Sequence, residues 1–517
     1  MPGPVAEAAP LSLSNDSVTL QFDLERGAVS RWQVHGLADE RSAGGQDPVD
    51  LVGTESALFE LDGMVAGRSL SEWERLAGGW VVADHSAKEL TLRLEHPDLP
   101  VAIRKHWRLH AEPWRAEFSL DWEPRGAGAA VRDLRLSLVP SSSPQSSAGA
   151  PNGETPFSET IYLEAGDVRI LPANGEAESE PMQNGWVGLQ NRYFALMLAP
   201  AGRLVDGALL QATSVQTDQA TGLTIAVPEG LLTPATQAGT PFQVSWTLFG
   251  GPKTVPALRG DGTTRADLRA LLYGDQWSAM KYLCLGLMHV LTRLQAAVLN
   301  WGLAILLLAV LVRIVLWPVS RNAMRAQAKL AAVQARIAPE LREIRARYRG
   351  GEQSERILAL YAAQGTSPLA GLKPLLIVAI QFPLFIALYH VLGRTFALRD
   401  AQFLWIDSLG APDRLFAFGA DLPFFGAYFN ALPVLMAAVT FLSIHVSAGR
   451  SKDAKTSIGQ KLGLVTMTLG FFVLFYDFPS GMVLYWTAAN LLHLLGTVWM
   501  NRGRAAAAPQ AGLPVGG

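Results

Sequence analysis

One arginine dominates the chemistry on offer. Arg313 sits within WGLAILLLAVLVRIVLWPVS, residues 301–320, where its neighbours are almost all apolar. A guanidinium near the centre of a bilayer costs about 2.5–3.5 kcal/mol on insertion scales, so a helix that retains one must turn it toward protein or water, or let it reach back to the headgroups. The residues alone are compatible with a water-filled cavity and with a cytoplasmic snorkel, since Pro318 and a basic stretch follow closely. Gln381, two residues before Pro383, and Asn490 are further polar candidates for such a cavity, and each could equally bond across helices or to a local carbonyl. Little else suggests a reaction. His35, His85, His96, His106 and His110 are scattered, Cys284 is the single cysteine, and no metal-ligand cluster, Ser/His/Asp arrangement, glycine-rich phosphate loop or nucleotide motif stands out. Neither bond-making catalysis nor a cofactor is expected.

The elements that must position these residues are long and apolar. Segments at about 300–318, 374–392, 428–447, 462–478 and 481–499 approach the roughly 20 residues a helix needs to cross a bilayer. Backbone amides cannot stay unpaired in lipid, so these segments are expected to be five helices. Pro383 and Pro433 could kink them, and Phe478, Pro479, Ser480 and Gly481 join the last two as a tight hairpin. Residues 277–295 mix apolar residues with Lys281, His289 and Arg293, the pattern of an interfacial amphipathic helix. Two more helices, roughly 322–348 and 352–363 and separated by Gly350 and Gly351, are expected within 319–373.

That connection carries ten Lys or Arg against four Glu, which places it in the cytoplasm by the positive-inside rule. Residues 393–427 carry as many acids as bases or more, and 448–461 are basic again. The carboxyl end, 501–517, is then a cytoplasmic tail, and an odd number of crossings puts residues 1–265 outside. The first 30 residues lack the basic start and apolar core of a secretory signal, so export of that region implies either a preceding membrane helix or translocation driven by the crossing near 300.

Residues 1–265 read differently. Val18, Leu20, Phe22 and Leu24 alternate with polar neighbours, as do Leu90, Leu92 and Leu94, then Val101, Ile103, Trp107 and Leu109, with further runs at 118–122, 134–138, 186–198 and 242–249. Period two with turn residues between the runs predicts a large antiparallel sandwich, and the Ser/Pro/Gly/Ala-rich 139–156 predicts a surface loop. With 517 residues, 49% hydrophobic and 17% charged, the chain is no disordered polyampholyte. A net charge of -2 argues against specific nucleic-acid recognition.

In this order the pieces resemble the YidC/Oxa1/Alb3 family of membrane protein insertases, in its bacterial YidC-type branch. LVRIVLWPVS at 311–320 resembles the first core helix with its intramembrane arginine, and SPLAG at 367–371 resembles the N/SPLxG element. QFPLFIALYHVL at 381–392, LPVLMAAVTFL at 432–442 and FPSGMVLYWTAANL at 478–491 resemble later core helices, while GWVGLQNRYFALMLAP at 185–200 resembles the outer domain. The resemblance implies a membrane α-helical core, 300–500, behind an all-β supersandwich in the periplasm, in a bacterial inner membrane. It also implies a hydrophilic groove open to cytoplasm and lipid, charged by Arg313, with Gln381, Tyr485, Trp486 and Asn490 as lining candidates. Nascent membrane proteins, membrane lipids, the ribosome and a Sec translocon are the implied partners. Family members usually have six membrane helices; Ala309 replaces a hydroxyl found in some relatives, and Asp477 adds an acid before FPSG. A Sec-associated chaperone with little independent insertion, or a polar-solute transporter, are the competing readings.

Overall fold

The computed structural model describes residues 10–506 apart from 38–47, 54–55, 126–130, 141–144, 147–156, 173–179, 183–184, 202–209, 217–220, 228–241, 261–266, 364–372, 424 and 449–457. Most of the expected 139–156 loop and the whole SPLAG stretch therefore lie outside the described residues. The chain divides into two compact units, Met1–Trp277 with Arg394–Ala397, and Ser278–Gly393 with Leu398–Gly517.

The first unit is the expected β-sandwich, built of an 11-stranded and a 9-stranded sheet with antiparallel pairing. Alternation in the sequence becomes alternation in burial. Val18, Leu20 and Phe22 of Val18–Asp23 and Leu90, Leu92 and Leu94 of Glu89–Leu94 point inward. The strands Trp186–Gln190 and Phe194–Pro200 are buried at every position, as strands covered on both faces must be. The turn between them is set by Asn191, whose Oδ1 accepts from the backbone N–H groups of Tyr193 and Phe194 at 2.9 and 2.7 Å. Two helices, α1 (Leu70–Ala77) and α2 (Val255–Leu258), flank the strands.

Two polar ties cross between the sheets. Trp32 donates from Nε1 to the Gly250 carbonyl at 3.1 Å, and its ring occupies the space a side chain at 250 would need. Lys105 occupies a core position of Val101–Leu109, between Ile103 and Trp107. Its Nζ donates to the carbonyls of Gly27 at 2.7 Å and Phe59 at 3.1 Å, and lies 4.5 Å from the centre of the Trp80 ring. Burial pulls this amine down to about 8, against partial support from the charges of Glu74 and Glu60. Lys253, donating to Gln190 Oε1 and the Asn191 carbonyl, is also pulled down to about 8, by burial first and then by the charge of Arg394.

The second unit is helical: α3 (Ser278–Val298), α4 (Trp301–Arg347), α5 (Gly350–Ala363), α6 (Lys373–Arg394), α7 (Ala431–Ala448), α8 (Ile458–Phe475) and α9 (Ser480–Ala506). Each of the five expected apolar segments overlaps a helix, although 428–429 lie in a strand and 476–478 in the turn after α8. Among the described residues, Trp301–Pro318 and Ser480–Val498 are long and apolar enough to span a membrane, and Ala431–Ser443 is a shorter apolar stretch. The stretch expected as an interfacial helix is helical, α3, and it buries Met280, Cys284, Leu287 and Leu291 along one stripe and leaves Trp277, before its start, and Tyr282 exposed.

The apolar run to Pro318 and the basic stretch from 322 are expected as separate helices. Instead α4 continues through Pro318 and Pro339 for 47 residues. A proline removes one backbone hydrogen bond without obliging the helix to end, so flanking helix formers carry it across. The turn comes at Tyr348, with Gly350 at a φ of 67°, where glycine alone is unstrained. There Gln353 donates to the Tyr348 carbonyl at 2.8 Å, and Arg356 lies 3.9 Å from the centre of the Tyr348 ring.

Candidate functional site: a polar pair between apolar helices

One connection organises an end of the bundle. Phe403 packs on Gly302 at the start of α4, so closely that a Cβ at 302 would clash with its ring. Asp413 Oδ2 accepts from the backbone N–H groups of Ala431 and Leu432, at 2.8 and 2.9 Å, at the start of α7. At the start of α9, Ser480 donates from Oγ to the Ala411 carbonyl at 2.6 Å, and the Gly481 N–H donates to the Leu409 carbonyl at 2.8 Å. Three helix N-termini thus meet the same stretch, 403–413, and α4, α7 and α9 leave it in one direction. The FPSG turn supplies the two residues that hold the seam.

Equal starting points make depth readable from residue number. Arg313 lies twelve residues past Trp301 and His493 thirteen past Ser480, so each is about 18–20 Å from its helix start at 1.5 Å per residue. They meet there: Arg313 Nη2 and His493 Nδ1 are 2.7 Å apart. A guanidinium only donates, so this His493 nitrogen is the acceptor. Val310, Arg313, Ile314, Trp317 and Leu492 line a recess of about 310 Å³ beside the pair. Slightly nearer the helix starts, Asn490 donates from Nδ2 to Thr440 Oγ1 of α7 at 2.8 Å.

The structure separates the expected lining residues. Tyr485 is buried and interacts electrostatically with Arg313. Asn490 holds α9 to α7 and is not among the residues lining the recess. Trp486 belongs to an aromatic cluster with Phe385 at 5.1 Å and Phe475 at 6.0 Å, and its Nε1 has no acceptor among the described residues. Gln381 is exposed on α6. Two residues went unread in the sequence: His493, an ionisable group in the apolar run NLLHLLG, and Thr440. The first carried the same signal that singled out Arg313.

The closeness at Gly302 gives a test of the seam. Gly302→Ala is expected to destabilise the helical unit by about 1–3 kcal/mol, as overpacking does. Thermal unfolding in detergent measures it, with recovery in Gly302→Ala/Phe403→Ala; an unshifted midpoint for the single variant would show that the contact is slack.

A β-sandwich followed by long apolar helices, one of which keeps a guanidinium among apolar neighbours, is the make-up of a membrane protein with a large non-helical domain. Residues 293–507 match the 60Kd inner membrane protein family. A membrane protein insertase YidC of Syntrophobacter fumaroxidans is 34% identical over 206 residues, 39% of this chain and 35% of that protein. One from Marinobacter nauticus is 28% identical over 463 residues, 85% of this chain and 72% of that one. A crystal structure of an active YidC insertase with its first transmembrane domain resolved aligns over 96% of this chain and 93% of its own, with a TM-score of 0.37 and 16% identity. Over its helical part the chain is similar to the 60Kd inner membrane protein family, and along most of its length to YidC insertases. It spans about a third of the length of the first of these relatives.

Proposed function

We propose that this protein inserts and helps to fold integral membrane proteins through a hydrophilic groove open to cytoplasm and lipid. The observation that carries this reading is the hydrogen-bonded Arg313–His493 pair beside a recess about two thirds of the way along two apolar helices. A polar pair there lowers the cost of bringing the polar end of a client part-way across, which is otherwise several kcal/mol per unpaired group. The client's apolar segment then moves into lipid, gaining about 0.8 kcal/mol per buried methylene. Stretch 403–413 closes the groove on the outer side, and the basic 319–373 connection faces the cytoplasm. No bond is made or broken. The relatives named as insertases support the same reading. Nascent chains and lipids are the clients and solvent of this work, with the ribosome and a Sec translocon as delivery partners.

Reconstitution of the purified chain with a short single-spanning substrate, with and without translocon, tests it. Protease-protected substrate is expected in both. Protection only with translocon would make the protein a Sec-associated chaperone, and solute flux without protection would make it a transporter.

The cytoplasmic hairpin, the distal part of α4 with α5, is expected to serve delivery. Deleting 322–363 is expected to lower insertion in cells several-fold while leaving the chain membrane-bound. Unchanged insertion would remove the hairpin from the mechanism.

A further inference from the structure

Between α6 and α7 the chain forms a small sheet that the rest of the fold does not continue. Phe416–Leu422 and Gly426–Phe429 pair antiparallel, and among the described residues neither pairs with any other strand. A lone two-stranded hairpin is marginal in water, so something must cover it. Its chemistry is lopsided. Phe416 faces Phe429 across the ladder, their rings stacked at 4.9 Å, and Phe418, two residues along the same strand, packs edge-on to both at 5.6 and 6.2 Å. The period of two puts all three on one face, with Ala417 and Tyr428 on the other. Phe416 remains 51% exposed.

The hairpin's position is fixed. Its second strand runs through Asn430 directly into α7. Asn430 donates from Nδ2 to the Tyr476 carbonyl at 2.8 Å, the Tyr476 hydroxyl donates to the Tyr428 carbonyl at 3.1 Å, and the Phe425 ring lies 5.1 Å from that of Tyr476. The root of the hairpin is therefore tied both to the first turn of α7 and to the end of α8. Just inside, α7 exposes Val434 and Leu435, and α8 exposes Val473 and Leu474. The phenylalanine face thus stands at the end of two helices whose nearest turns expose apolar side chains.

We propose that the Phe416, Phe418 and Phe429 face is a lipid-docking surface, lying at the boundary between headgroups and acyl chains of the outer leaflet and anchoring the 403–413 seam to the membrane. Aromatic side chains favour that boundary, and a face buried there sits about 5–10 Å deep. The inference rests on the membrane-spanning reading of α7, and not on the insertase activity. The surface would keep the closing stretch level with the bilayer while the helices below it move.

The test uses the full chain with the buried Cys284 replaced by alanine and single cysteines introduced as Phe416→Cys, Ala417→Cys and Phe441→Cys. Each carries an environment-sensitive fluorophore in phosphatidylcholine/phosphatidylglycerol vesicles with acyl chains brominated at shallow or deep positions. The label at 416 is expected to be quenched on the order of twofold by shallow bromines, the label at 417 much less, and the label at 441, midway along α7, by deep bromines. Quenching at 441 with equal, aqueous behaviour at 416 and 417 would overturn the hairpin proposal alone. Aqueous behaviour at 441 as well would overturn the spanning reading beneath it. Quenching at 416 that appears only after a client protein is added would reassign the face to client binding.

Discussion

Arg313→Ala is expected to slow insertion of substrates with translocated acidic segments by about ten- to a hundredfold, the factor equivalent to the roughly 1.5–3 kcal/mol of a hydrogen bond to a charged group. The side chain is the charge in the recess, and His493 is bound to it at 2.7 Å. Removing it takes away the attraction for an incoming carboxylate and leaves His493 without its donor from α4. Arg313→Lys keeps the charge and is expected to retain more activity, short of wild type because an ammonium lacks the planar fork. His493→Ala should cost less than Arg313→Ala, and the double variant little more than the arginine variant, because the two act as one unit. Initial rates in proteoliposomes measure all four. Equal rates for wild type and Arg313→Ala on several short-tailed substrates would remove this residue from the mechanism.

The β-sandwich domain is expected to gain stability as pH rises from about 8 to about 10.5, the opposite of a domain held by lysine ion pairs. Lys105 and Lys253 titrate near 8 in the fold and near 10.5 when the chain is unfolded. Within that window the unfolded chain holds more protons than the folded one, so each step up in pH favours the folded state. Below about 8 the full cost is present, about 3 kcal/mol per lysine. Urea unfolding of the full chain in detergent, followed by tryptophan fluorescence at pH values across this window, reads the slope. Lys105→Met keeps the stem and deletes the charge, leaving the Gly27 and Phe59 carbonyls unpaired. That variant should lose about half the slope. An unchanged slope would mean that Lys105 is not the group responsible.

Much of this architecture could be read from residue order. Val18–Asp23 and Glu89–Leu94 announced themselves because one face of each meets the core and the other does not. Long apolar runs gave the helices for an equally local reason: hydrophobic length does not depend on what packs alongside. Lys105 was harder, since a lysine at an inward position contradicts the strand pattern, and its two carbonyl partners come from the opposite sheet. The extension of α4 beyond Pro318 was misjudged because a proline can end a helix or merely bend it. Arg313 was legible as a charge in apolar surroundings. Its partner was not, because 180 residues separate it from His493 and only the shared starting level of α4 and α9 brings them together. The phenylalanine hairpin was hidden for a related reason: its strands are short, lie in a stretch read as a connection, and gain meaning only from where Asn430 and Tyr476 fix them.

The unbroken course of α4 has a mechanical consequence. From Pro318 to Arg347 the helix is an arm about 43 Å long, jointed at Pro339 and, at its root, at Pro318. A sideways pull of about 5 Å at the tip is a rotation of only about 7° at the root joint. A soft joint passes little torque, so a grip on the tip swings the arm while Arg313, a turn and a half before Pro318, keeps its place beside His493.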